Sequence, residues 1–207
     1  MIRITVAPDH PDPRAIAQAV EVLTAGGVVA FPTDTLYGLA VDPRRADAVE
    51  RLLALKGRDR GAALPLVAAD TSQAGQAGRF GPQELRLADA FWPGPLSIVV
   101  PARRAVSAVA LGGGNTVAVR VPAHAIARAL AGAFGFCLTA TSANPSHLPP
   151  AESADGVADI LGEVDLLIDG GSTPGGAPST IVSAGDEGPV LVRAGAIAWD
   201  RVLKSLQ

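Results

Sequence analysis

Residues 27–31 read Gly-Val-Val-Ala-Phe and are followed by Pro32. An apolar run of this length with no polar alternation reads as a buried strand. Pro32 has no N–H to give and halts the ladder, so Thr33, Asp34, Thr35 and Tyr37 sit where the backbone leaves the sheet. Ligands of open α/β sheets usually bind at such strand ends. Taken alone, the motif favours Thr33 and Asp34 as caps of the next segment.

The rest of the chain supplies strands and helices to surround that strand. Residues 2–6 alternate as a short strand, and residues 13–25 carry Ile16, Val20 and Leu23 at helical spacing, with Asp12 as N-cap and Gly26-Gly27 as the stop. A second helix is expected over 46–55, ended by Gly57, which leaves Lys56 and Arg58 at its C-terminal edge. Strands are expected at 64–68, 96–100, 117–121, 136–140, 166–168, 180–182 and 190–193, and helices at 84–91, 124–133 and 153–161. The glycine-rich stretch 170–178 reads as a mobile loop, and a short helix follows the last strand. Strands alternate with helices early and cluster late, which predicts an α/β fold with a twisted sheet of mixed parallel and antiparallel pairing, flanked by helices. With no repeat and no linker, the 207 residues are expected to form one domain, 1–207, with no second C-terminal domain.

Composition removes several classes of function. The single cysteine, Cys137, excludes an internal disulfide and a cysteine-based zinc site, and its apolar neighbours mark it as an inert core residue. No apolar run approaches the ~20 residues of a membrane span, and the N-terminus has no signal-peptide pattern, so a cytoplasmic protein is expected. A net charge of −3 argues against a general nucleic-acid coat. Cations nevertheless cluster at Arg51, Lys56, Arg58 and Arg60, with Arg103, Arg104 and Arg120 further on. If the fold gathers some of them, they form a concave basic cavity suited to nucleotides.

Familiar catalytic patterns are absent: there is no phosphate-loop motif, no dinucleotide fingerprint and no nucleophile elbow. His10, His124 and His147 do not space as metal ligands, and His124 reads as a surface or capping residue. A Ser142/His147 pair has no orienting acid. Lys56 and Arg58 are solvated charges complementing a helix C-terminus or, together with Ser142, Asn144 and Arg193, donors for a triphosphate. Arg120 lies opposite the valine face of its strand and just before Pro122, so it is a solvated edge residue or a bidentate grip for a carboxylate. Ser142 and Asn144 begin a turn before Pro145, and Ser179 and Thr180 begin a strand after the glycine loop.

Seven segments occur in one order: Pro32-Thr33-Asp34-Thr35, Lys56-Gly57-Arg58, Trp92-Pro93-Gly94-Pro95-Leu96, residues 117–122, Thr141-Ser142-Ala143-Asn144, residues 177–182 and Arg193-Ala194-Gly195-Ala196-Ile197. In this the chain resembles the YrdC-like threonylcarbamoyl-adenylate synthase family in its single-domain form. The resemblance implies the substrates L-threonine, bicarbonate or carbon dioxide, and ATP with magnesium, and the products threonylcarbamoyl-AMP and pyrophosphate. It implies Lys56 and Arg58 as catalytic and, with Ser142, Asn144, Ser179 and Arg193, as ATP-binding residues; Thr33, Thr35, Tyr37 and Arg120 would hold threonine. It further implies a downstream tRNA threonylcarbamoyl transferase complex as partner, and contact with tRNA or double-stranded RNA. Two alternatives share the fold: an RNA-binding module without synthase activity, and a carbamoyl-adenylating domain for another acceptor. The chain departs from the family pattern at Asp59, Ala62 and Ala63, where relatives carry prolines and a lysine, with Arg60 as a substitute cation.

Overall fold

The computed structural model describes residues 1–58, 61, 63–146, 148–185 and 188–207. Its strands fall into two sheets. The first contains β1 (Ile2–Thr5), β2 (Val29–Pro32), β3 (Tyr37–Ala40), β8 (Thr141–Ser142) and β9 (Leu166–Asp169), in the order β1-β9-β2-β3-β8. The second contains β4 (Leu66–Val67), β5 (Leu96–Pro101), β6 (Thr116–Arg120), β7 (Leu138–Thr139), β10 (Thr180–Gly185) and β11 (Gly188–Arg193), in the order β11-β10-β5-β6-β4-β7. Helices α1 (Pro13–Thr24), α2 (Ala46–Lys56), α3 (Thr71–Ala77), α4 (Pro82–Phe91), α5 (Ala125–Phe134), α6 (Ala154–Ile160) and α7 (Trp199–Ser205) join and flank them. The pairing is mixed in both sheets, as expected: β2 is parallel to β9 and antiparallel to β3, while β5 is parallel to β10 and antiparallel to β6.

The uninterrupted apolar run has a direct explanation. Along β2 and the residue before it, Val28 and Ala30 join one core cluster with Leu39, Leu52, Ile98 and Val119. Val29 and Phe31 join the other, beneath α1 and α5, with Ile16, Leu23 and Leu130. Successive side chains point to opposite faces of a strand, so a strand buried on both faces has no place for a polar residue.

Local signals set most helix ends. Asp12 caps α1 by accepting from the Arg14 N–H at 2.9 Å. Gly57 ends α2 with φ of 57°, a left-handed conformation that glycine adopts without strain. Besides β8, which falls where a turn was expected, two elements were not expected. The hairpin partner β3 lies in a stretch read as loop and its continuation. Helix α3 has little apolar character, but Asp70 accepts from the Gln73 N–H at 2.7 Å and the Gln73 side chain accepts from the Ala69 N–H at 2.7 Å. This Asp-x-x-Gln spacing at 70–73 was the available sequence signal.

The strand expected at 136–140 is the element that brings the sheets together. Leu138–Thr139 pairs with β4 in the second sheet, and two residues later Thr141–Ser142 pairs with β3 in the first. One continuous stretch therefore crosses from sheet to sheet, and a cavity opens beside the crossing.

Candidate functional site

One edge of the second sheet gathers side chains that are distant in sequence. Across β11, β10 and β5 the register matches Arg193 to Ile181 and Ile181 to Ser97. The β5–β6 register, which pairs Ile98 with Val119, carries on to set Ser97 beside Arg120, and Arg120 is matched to Val67 of β4. All five residues of this row, Arg193, Ile181, Ser97, Arg120 and Val67, line one cavity of about 530 Å³. The opposite wall comes from the Thr33–Leu36 turn, Tyr37 and Gly38 of β3, and Thr141 and Ser142 of β8 with Arg58 beside them, while Ser179 lies on the side of Ser97 and Arg193. Among the described residues, three arginines and no carboxylate face the space.

The turn is built around Thr33. Its N–H donates to the Leu36 carbonyl at 3.2 Å, and its hydroxyl donates to the same carbonyl at 2.7 Å. The hydroxyl also accepts from the Thr35 and Leu36 N–H groups at 3.2 and 3.3 Å. With the Thr33 proton committed to Leu36, the 3.1 Å contact between the two threonine hydroxyls has Thr35 as donor. Thr33 is thus saturated, and Thr35 keeps lone pairs to offer a ligand. Asp34 projects from this turn to Arg120 across 3.2 Å, the side chains being 10% and 7% exposed. Burial pushes the Arg120 pKa down and the Asp34 charge pushes it up, while Arg193 adds a repulsion that places a second cation nearby.

The phenol expected to meet a ligand is already engaged. Tyr37 donates to the Gly171 carbonyl at 2.7 Å and accepts from the Gly170 N–H at 3.3 Å, so its proton is committed within the fold. Burial raises its pKa to about 12. The glycine-rich stretch expected to be mobile is pinned there and at two further places. Gly175 N–H donates to the Thr35 carbonyl at 3.0 Å, and Thr173 N–H donates to the Glu152 carbonyl at 2.8 Å.

Arg193 is held against the next segment. Its Nη2 donates to the Ser179 carbonyl at 2.7 Å and to the Ser179 hydroxyl at 3.1 Å, and that hydroxyl lies 3.0 Å from the Ser97 hydroxyl. The close approach requires Gly195, where a Cβ would sit 2.2 Å from the Pro178 carbonyl oxygen.

Two expected ligands do not line the cavity. Lys56 is buried, and its Nζ donates to the Ser142 and Asn144 carbonyls at 2.6 Å each and to Asn144 Oδ1 at 3.5 Å. An ammonium has three donors, and all three point at one loop. Asn144 donates to the Pro145 and Leu148 carbonyls. These two residues brace the loop that presents Ser142. Burial, and secondarily the Arg58 charge, lower the Lys56 pKa to about 8.

Two of the other cations are elsewhere: Arg51 pairs with Asp165 at 2.7 Å, and Arg103 donates to the Gly75 carbonyl at 2.6 Å. His124 precedes α5 but makes no side-chain cap, and its buried Nδ1 has no hydrogen-bond partner. Cys137 is buried, as expected, and its pKa is raised to about 12. Asp59, Arg60, Ala62 and His147, named above, lie outside the described residues. Sequence reasoning gave Asp34 only the part of a cap, and gave Ser97 no part in binding. A carboxylate between two threonines just after a strand was the only signal for Asp34, and Ser97 had none.

Fold and cavity define an α/β protein with a cationic, hydroxyl-rich pocket at the junction of two mixed sheets. The Sua5/YciO/YrdC family model, described as telomere recombination, matches residues 21–195, and the chain belongs to this family. It is 44% identical over 165 residues to a threonylcarbamoyl-AMP synthase of Halorhodospira halophila, covering 79% of this chain and 86% of the relative. It is 39% identical over 194 residues to the Bacillus subtilis enzyme of the same name, covering 92% of this chain but 56% of that protein. Among solved structures, Pyrococcus abyssi Sua5 complexed with L-threonine superposes with a TM-score of 0.93 at 36% identity, over all of this chain and 61% of that one. Escherichia coli YciO superposes with a TM-score of 0.88 at 30% identity, over the full length of both. The chain therefore spans some relatives almost entirely and little more than half of others.

Proposed function

We propose that the protein is a threonylcarbamoyl-AMP synthase, a nucleotidyltransferase that joins L-threonine, carbon dioxide (supplied as bicarbonate) and ATP. The threonine amine adds to carbon dioxide and loses a proton, giving a carbamate. A carbamate oxygen then attacks the α-phosphorus, the bond from that phosphorus to the bridging oxygen breaks, and pyrophosphate leaves. No protein nucleophile is needed. The observation that carries the reading is the row of Arg193, Ser97 and Arg120 along one sheet edge, facing Arg58 and the Thr33–Leu36 turn across a cavity with no carboxylate among the described residues of its lining.

In this reading Arg58, Ser142, Ser179 and Arg193 hold the phosphates, and Lys56 and Asn144 shape the Ser142 loop behind them. Arg120 takes the threonine carboxylate in a bidentate grip, and Thr35 accepts from its amine or hydroxyl. Thr33 and the Tyr37 ring form the wall. Catalysis comes from positioning the carbamate in line and from guanidinium groups that offset charge developing on the phosphoryl oxygens. Magnesium would arrive with the triphosphate, held by phosphate oxygens and water, since the described residues of the lining offer it no carboxylate. The product is a mixed anhydride, which suits a transferase that passes the threonylcarbamoyl group to tRNA in the cytoplasm. Among the described residues no helix is long and apolar enough to cross a membrane. The test is pyrophosphate release with ATP, bicarbonate and L-threonine omitted in turn. Strict dependence on all three supports the synthase; RNA binding without threonine-dependent ATP consumption overturns it.

A further inference from the structure

We propose that Asp34 is the positioning residue for Arg120: its carboxylate fixes the guanidinium so that the free donors meet the carboxylate of the amino-acid substrate. The inference goes beyond the reading above and rests on it only in what Arg120 binds. Asp34 does not line the cavity, so it acts through another group. Its nearest cationic partner is Arg120, at 3.2 Å. Both carboxylate oxygens are shut off from solvent and make no hydrogen bond, and Arg120 Nη1 is likewise buried and unpartnered.

A buried cation facing a second cation is stable only if something neutralises it. Arg120 shares its sheet edge with Arg193, and Asp34 is the anion set against it. The placement is rigid at both ends. Asp34 occupies the second position of a turn locked by the Thr33 hydroxyl, and Arg120 is the last residue of β6, in register with Val67 and Ser97. The carboxylate therefore satisfies the charge of one edge of the guanidinium and fixes its orientation, so that what the group presents to the cavity is set by Asp34. A charged donor held in one direction favours a ligand whose acceptors match it.

The test is a double-mutant cycle read by calorimetry on the full chain, with L-threonine and inorganic sulfate as separate probes. Asp34→Asn should weaken threonine about tenfold, the size of one misdirected charge-assisted contact. It should tighten sulfate about tenfold, because a symmetric anion needs little orientation and gains from removal of a negative charge. In an Arg120→Gln background both effects should shrink to less than about twofold, as expected when one residue acts through the other. A threonine loss that persists undiminished in that background overturns the proposal, as does sulfate affinity that fails to rise. A merely structural role for Asp34 would not tighten sulfate. If the wild-type chain binds no threonine, the amino-acid reading falls, and the sulfate cycle still decides the role of Asp34. Should Asp34→Asn not fold, Asp34→Glu keeps the charge but shifts it by a methylene. It should weaken threonine and leave sulfate unchanged; unchanged threonine affinity overturns the proposal.

Discussion

Asp34 Oδ1 and Arg120 Nη2 meet at 3.2 Å where the turn of one sheet touches the terminal residue of a strand in the other. The contact joins the two sheets beside the cavity, and it holds the arginine in the row that crosses β11, β10, β5, β6 and β4.

Replacing Arg120 tests what that arginine holds. A lysine keeps the charge but loses the planar fork, so Arg120→Lys should raise the threonine concentration needed for half-maximal pyrophosphate release by about tenfold. The ATP requirement should change little. Equal shifts for both substrates would place Arg120 outside the amino-acid end of the pocket.

Arg58 stands on the other wall, with Nη1 3.4 Å from the Thr141 hydroxyl. Arg58→Ala removes one charge-assisted phosphate contact and should raise the half-saturating ATP concentration about ten- to a hundredfold. Threonine dependence measured at saturating ATP should stay near that of the wild type. A folded variant with an unchanged ATP requirement would remove Arg58 from the nucleotide site.

The Tyr37 hydroxyl ties Gly170 and Gly171 to β3. Tyr37→Phe should destabilise the protein by about 1 kcal/mol in urea unfolding and speed amide exchange at residues 170–176. Exchange as slow as in the wild type would mean that the bonds from Thr35 and Glu152 hold the segment unaided.

Gly195 allows the chain to pass against residues 178–180. In Gly195→Ala the new methyl would meet backbone atoms, which cannot rotate aside, so a loss of about 1–3 kcal/mol is expected. Arg193, two residues earlier, should then lose its hold on Ser179, and ATP affinity should fall with stability. Wild-type stability in the Gly195→Ala variant would show that the segment has room to shift.

Lys56 gives a pH-dependent signature. Its folded pKa is lowered from 10.5 to about 8 by burial. Between those values the unfolded chain keeps a proton that the folded chain has released, so this group makes stability rise as pH increases from about 8 to 10.5. The stability difference between wild type and Lys56→Met should therefore be larger at about pH 9.5 than at about pH 7.5 in favour of the wild type. A difference that is constant or falls with pH would show that the loop carbonyls hold the ammonium charged.

Elements governed by neighbours in sequence were the legible ones. Helix α1 begins after Asp12, α2 ends at Gly57 and β2 runs into Pro32, because caps, left-handed glycines and prolines act over a few residues. Strand β3 was missed because the four-residue turn before it, read as loop, is what makes the hairpin. The stretch 136–140 was read as one strand running into a turn, since nothing local marks a change of sheet at Ala140. Eight of the residues singled out do line the cavity, namely Thr33, Thr35, Tyr37, Arg58, Arg120, Ser142, Ser179 and Arg193. Lys56 and Asn144 do not, because each finds its partners in one loop.

The sequence by itself determined that residues 27–31 are buried on a strand, that helices and strands alternate before the strands cluster, and that hydroxyls and arginines stand at strand ends. Tertiary structure alone decided which of those polar groups remain available. Whether a lysine, a phenol or a threonine hydroxyl is free for a ligand depends on where its hydrogen-bonding partners lie. For Lys56 and Tyr37 those partners are 86 and 134 residues away along the chain, brought close only by the register of two sheets and the strand that crosses between them.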